Sequence, residues 1–181
     1  MSDHDTVLRN HVVATPRLVV RGNVDRLTTR LTENLRAESR PHLRLVDVDA
    51  RFLPGESTTR SEDIVVMKSD IAWAHEFIAL SGDDHQRRLH VQEDEIEVHI
   101  WFARPEGLLL RGIITEASWN ALPDWLVVRA PRPTPFTPVA EHHAEAMKGL
   151  GWILCHLRAV SAVAPVRPDD RDAPMNEYPH G

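Results

Sequence analysis

The feature that most constrains this chain is a likeness between its two halves. Residues 11–22 read HVVATPRLVVRG and residues 99–112 read HIWFARPEGLLLRG. Each begins with histidine, runs through apolar residues to a proline, and closes on three aliphatics and Arg-Gly. Arg21-Gly22 and Arg111-Gly112 stand 90 residues apart in a chain of 181. The downstream order repeats as well. After Gly22 come the apolar runs 43–52 and 64–73, separated by a turn-rich loop holding Pro54 and Gly55. After Gly112 come the runs 125–130 and 152–163, separated by a proline-rich loop. The later runs start 43 residues after Arg21 and 41 after Arg111. The pattern reads as a diverged tandem duplication.

The repeated runs have strand character. In 17–25, Leu18, Val20, Gly22 and Val24 alternate with Arg17, Val19, Arg21, Asn23 and Asp25. A period of two marks a half-buried strand. In 96–102, Ile96, Val98, Ile100 and Phe102 share one face, and Glu97, His99 and Trp101 the other. In 43–52 the phase slips from Leu43 and Leu45 to Val46 and Val48, which predicts a bulge or sharp bend. Two segments predict helices. Leu27, Leu31 and Leu35 form an apolar stripe in 26–39, which Pro41 ends. Residues 141–149 lie between Pro138 and a closing Gly149. Residues 131–138 hold four prolines and are expected not to pair as a central strand.

The expected fold is mainly β: two similar small bent-sheet or barrel units packed together, with one or two short helices. The expected boundaries are a flexible N-terminus at 1–10, a first unit at 11–80, a linker at 81–88, a second unit at 89–164 and a disordered tail at 165–181. A unit of roughly 80 residues has a marginal core of its own, so mutual packing of the halves is a physical expectation.

Each half resembles a small barrel of the Sm-like kind. The first half also resembles a family of short, uncharacterised bacterial proteins with such a core. The resemblance covers about 60 residues and rests on Gly22-x-Val24, Arg30-Leu31-Thr32-Glu33-x-Leu35, Leu43-x-Leu45-x-Asp47-Val48 and Val65-x-Met67-Lys68-x-x-Ile71. The second half keeps Gly112-x-Ile114 and the later strands but has no counterpart of the Arg-Leu-Thr-Glu-x-Leu segment. The resemblance implies a fold and no activity. Sm-like proteins bind RNA through a loop-borne Asp and Arg-Gly set, whereas both Arg-Gly pairs here fall in an early strand.

Composition narrows the function. A net charge of −6 disfavours binding nucleic acid through the overall field. Of 21 basic residues only Lys68 and Lys148 are lysine, a bias that points to no fold. Eight glycines against 13 prolines, with no phosphate loop or serine-nucleophile motif, argue against glycine-cradled phosphate chemistry. One cysteine excludes an intrachain disulfide and a CxxC zinc site. The absence of a long apolar run and of a leader-like N-terminus gives a cytoplasmic expectation with no membrane partner.

His142 and His143, with Glu141 and Glu145, form the densest set of metal-ligand residues, with His156 as a remote candidate. Adjacent histidines point to different helix faces, so the expected state is a solvated helix surface. Cys155, between Leu154 and His156, reads as a buried structural thiol. The acidic runs at 83–84 and 93–97 read as solvated turns. No catalytic residues and no cofactor are expected. Four of five tryptophans lie in the second half, and two uses suggest themselves: packing between the halves, or an interface. The candidate interface residues are Trp101, Leu109, Ile113, Trp119 and Trp125. The expected function is a non-catalytic interaction or scaffold module, self-associating through its second half. The alternatives are a nucleic-acid or nucleotide-binding small barrel and a metal protein centred on His142 and His143.

Overall fold

The computed structural model describes residues 10–25, 30–55, 57–77, 94–120 and 122–167. The expected linker and most of the expected N-terminal and C-terminal tails lie outside the described residues.

The element order is β1 (His11–Thr15), β2 (Leu18–Val24), α1 (Leu31–Arg36), β3 (His42–Phe52), β4 (Thr58–Met67), a 3-10 turn (Lys68–Asp70) and β5 (Trp73–Glu76). There follow β6 (Ile96–Phe102), β7 (Leu108–Ile114), α2 (Glu116–Asn120), β8 (Trp125–Pro135), α3 (Pro138–Met147), β9 (Trp152–His156), a second 3-10 turn (Leu157–Ala159) and β10 (Val160–Pro165). The fold is mainly β, as the alternation predicts. The strands form one antiparallel sheet in the order β10-β6-β7-β8-β9-β5-β1-β2-β3-β4. Of the two expected forms, bent sheet or barrel, the structure has the sheet: among the described residues it is open and continuous, with β10 and β4 as its edges.

Within that sheet the two halves run in the same order, fifth strand, first, second, third, fourth. They meet where β5 pairs with β9, Trp73 opposite Cys155 and Ala74 opposite Leu154. Matching details recur at matching places. The main-chain N–H of Lys68 donates to the Pro41 carbonyl at 2.9 Å, and that of Leu157 to the Asp124 carbonyl at 2.8 Å. Both bonds tie the start of a 3-10 turn to the residue just before, or at, the entry of the third strand.

The two Arg-Gly pairs mark equivalent bends. The β2–β3 register shifts between Arg21 and Asn23, and β7–β8 between Arg111 and Ile113. Opposite each shift one residue takes a positive φ, Asp47 at 52° and Ala130 at 46°. The bulge predicted from the phase slip in 43–52 is therefore present. Glycine is needed at both bends because the facing strand comes too close for a side chain. A Cβ on Gly22 would lie 2.9 Å from the Val46 carbonyl oxygen, and one on Gly112 only 2.3 Å from Val128 Cγ1. The histidines that open the two similar segments are not equivalent. His11 pairs with Gly22, but His99 pairs with Arg111, one residue out of step.

The proline-rich stretch corrects an expectation. Residues 131–135 do pair, with Pro135 opposite Leu108 and Arg132 opposite Arg111. The β8–β9 ladder ends at Arg129 opposite Trp152, so among the described residues this length of β8 has a partner on one side only. Prolines at alternate positions 131, 133 and 135 keep their missing N–H groups to the same side, which a locally unpaired edge tolerates. Of the predicted helix 26–39, residues 26–29 lie outside the described residues; α1 ends at Arg36, earlier than predicted, and its buried Leu31 and Leu35 keep the stripe. Helix α3 starts earlier than predicted. Thr137 caps it by accepting the Ala140 N–H, and Pro138 fills the first turn. At the C-terminal end the strand runs through Pro165 and Val166 is buried, so these two residues belong to the folded sheet and not to the tail expected from 165.

Two hydrophobic clusters hold the sheet, and each draws on both halves. One combines Val12, Ala14, Val19 and Trp73 with Ile100, Leu110, Ile153, Cys155 and, from α3, Ala140 and Met147. The other combines Val13, Val20, Leu43, Leu45 and Val66 with Leu122, Trp125 and Leu154. Strand β1 faces both clusters, which explains its near-complete burial. No helix among the described residues is long and apolar enough to cross a membrane.

Candidate functional site

The seam between the halves carries three buried histidines, His143, His156 and His75. Helix α3, in the β8–β9 connection, packs on β8 and β7, and its His143 side chain reaches Trp73 of β5 and Pro16 of the β1–β2 turn. Its His143 is fully buried. The Trp73 indole N–H donates to His143 Nδ1 at 3.0 Å, and His143 Nε2 lies 3.2 Å from the Pro16 carbonyl. An acceptor at Nδ1 and a donor at Nε2 define a neutral imidazole with its proton on Nε2. Burial pushes its pKa down to about 4, against a smaller upward pull from Pro16. His142, one position earlier, points elsewhere and contacts the Pro54 carbonyl at 3.1 Å.

His156 is buried, with Nδ1 3.0 Å from the Ile71 carbonyl and its ring stacked on Trp125 at 4.6 Å. His75 Nδ1 lies 2.7 Å from the Trp152 carbonyl. Burial lowers the pKa of both rings. The Cys155 thiol is fully buried, and desolvation pushes its pKa well up, which disfavours the thiolate a nucleophile needs.

The expectation of a solvated surface at His142 and His143 is therefore corrected for His143, which both ring nitrogens tie into the seam. His156 belongs to a separate set of contacts. Among the described residues no group of three or more His, Cys, Asp or Glu is placed to hold a metal ion. Away from the seam, the buried Arg111 makes a two-pronged ion pair with Glu97, both contacts 2.9 Å. Arg132 also reaches Glu97. The Arg111 hydrogen bond is the main cause holding the Glu97 carboxyl below its usual range.

The five candidate interface residues divide. Trp101 and Trp119 stand exposed at 36% and 44%. Ile113 is half-buried. Leu109 is buried, and Trp125 is buried in the cluster that joins the halves. Trp73, Trp125 and Trp152 thus serve packing between the halves. Of the five, Trp101 and Trp119 are the two that stand exposed.

A further surface was not singled out from the sequence, namely the two ends of the sheet. On β4, Val65 and Met67 are exposed at 56% and 45%. Residues 64–67 of β4 and 161–164 of β10 carry no charge and no proline. Natural sheet edges are usually blunted by such residues. The outer part of β4 is blunted in that way, by Arg60, Glu62 and Asp63, and β10 ends at Pro165. A reader of the sequence could have found the unprotected stretches only by knowing which strands lie at the edges.

Comparison with known proteins gives no matching family model, no matching curated protein and no matching solved structure.

Proposed function

We propose that this chain is a non-catalytic interaction module, one β unit used twice, which works by associating through its exposed apolar side chains. The observation that carries this reading is the uncharged, exposed strand surface at the sheet's end, where Val65 and Met67 face solvent. Trp101 and Trp119 on the second half add to it, since large aromatics concentrate at interface cores. The chemistry of the seam supports the same reading. Its histidines are spent on main-chain carbonyls and an indole, and its one thiol is buried and disfavoured as a thiolate. The matching strand order of the halves and their matching bends support a duplicated unit.

The test is the mass of the full chain by light scattering across a range of concentrations. The expected result is a multiple of the single-chain mass. A single-chain mass at every concentration, unchanged by salt, would sink the self-associating form of this proposal.

A further inference from the structure

The sheet already contains one junction between its two units, and that junction specifies how its free ends would join. At the seam a fifth strand (β5) adds to the outer edge of a fourth strand (β9). Trp73 stands opposite Cys155 and Ala74 opposite Leu154. The His156 N–H closes the ladder on the Ala72 carbonyl at 2.9 Å. The same two kinds of strand lie unpaired at the ends among the described residues. Strand β4 pairs only with β3, and β10 only with β6.

The 3-10 turns fix the correspondence. His156 precedes one turn and Met67 the other, so Met67, Val66 and Val65 stand where His156, Cys155 and Leu154 stand. Ile71 and Val160 close the turns, so Ser161, Ala162 and Val163 stand where Ala72, Trp73 and Ala74 stand.

We propose that β10 of one copy adds antiparallel to β4 of a second copy, with Ala162 opposite Val66 and Val163 opposite Val65. This rests on the interaction-module reading and names its partner: another copy of the same chain. The contact is head to tail, because the two copies offer different strands. Such a contact repeats until it closes into a ring, or continues as a filament.

Three observations favour this partner. The register falls on the stretches of both strands that lack charge and proline. The blunting residues Arg60, Glu62, Asp63 and Pro165 lie outside it. The side chains also match what each junction must fill. At the internal seam Trp73 reaches across to His143 of α3, which the β8–β9 connection supplies. The β3–β4 connection is only residues 53–57 and carries no helix, and the position of Trp73 is taken by Ala162.

The experiment uses the full chain with Val65→Cys and Val163→Cys introduced separately. Cys155 is buried and stays out of the reaction. Under mild oxidation the mixture of the two variants is expected to give disulfide-linked dimers, and each variant alone is expected to give none. Val65→Lys is expected to reduce the assembly to single chains without lowering the melting temperature, and Ala162→Lys, at an exposed position of β10, to do the same from the other strand. Efficient cross-linking of Val65→Cys with itself would overturn the proposal, since it requires a symmetric pairing. A wild-type assembly whose 65 and 163 positions do not cross-link would overturn the register while leaving the interaction reading intact. A wild-type chain that stays single overturns the register and the self-associating form of the interaction reading together.

Discussion

Acidification should loosen the seam through one residue, His143. Its folded pKa of about 4 lies below the ordinary histidine value near 6.5. The folded chain therefore prefers the neutral ring, and the unfolded chain takes up a proton first. The stabilisation is fully present above roughly pH 6.5 and is lost as the pH falls from there toward 4. At pH 5 the difference is about 1.5 pKa units, or about 2 kcal/mol; by pH 4 it approaches 3 kcal/mol. For a chain of this size 2 kcal/mol is a fall of about 4–8 °C in Tm. His75 and His156 are shifted the same way and add to the slope, so the wild-type profile alone does not isolate the site.

The informative comparison is with His143→Gln, which has an acceptor for the Trp73 N–H and a donor for Pro16 but does not titrate. At pH 7.5 the variant should be less stable by about 1–3 kcal/mol, the cost of imperfect replacement of buried hydrogen bonds. Between pH 7.5 and 5 that gap should shrink by about 2 kcal/mol, as measured by urea unfolding followed by tryptophan fluorescence. Two profiles that stay parallel over the whole range would refute the assignment of a neutral, buried, doubly hydrogen-bonded His143.

Other outcomes follow from the same contacts. Gly112→Ala should cost about 1–3 kcal/mol in urea unfolding, because the new methyl meets the stiff, buried Val128. Trp73→Phe keeps an aromatic ring but removes the donor to His143. It should cost about 1–3 kcal/mol through the unpaired ring nitrogen, and a double-mutant cycle with His143→Gln should show non-additivity. Cys155 should resist a thiol reagent in the native chain and react only at the rate of unfolding. Rapid labelling under native conditions would contradict its burial.

The strands are legible in the sequence because burial on one side leaves a period of two. Val20, Gly22 and Val24 are buried while Arg21 is exposed, as the alternation in 17–25 predicts. The bend near Asp47 is legible because it breaks that period. Two features escape for the same physical reason, that sequence position does not reveal which neighbours an element has. Prolines exclude a strand paired on both sides, and only the end of the β8–β9 ladder at Trp152 makes 131–135 a one-sided strand. Likewise EHHAEAM in α3 reads as a charged surface helix, yet it sinks His143 between Trp73 and Pro16. Of the proposed interface residues, Trp101 and Trp119 could be told from Trp125 only once the second face of the sheet was seen to be covered by the other half.

The contrast between the two fifth strands ties the packing to the proposed assembly. Trp73, Ala74 and His75 of β5 are almost wholly buried, whereas Ser161 and Ala162 of β10 are exposed. The two strands enter from the same kind of turn and pair with the same kind of first strand. What separates them is that β5 has β9 on its other side and β10 has nothing among the described residues. A strand covered on both edges tolerates an indole and an imidazole, because the neighbouring unit satisfies their polar atoms. A strand left open would have to desolvate those atoms anew each time a partner bound, at a cost of about 1–3 kcal/mol for each one left unpaired. Small, uncharged residues avoid that cost and leave association to the main-chain ladder and to Val65, Val163 and Met67. The substitution of Ala162 for the tryptophan position is therefore what a reversible joint requires, and Trp73 is what a permanent one allows.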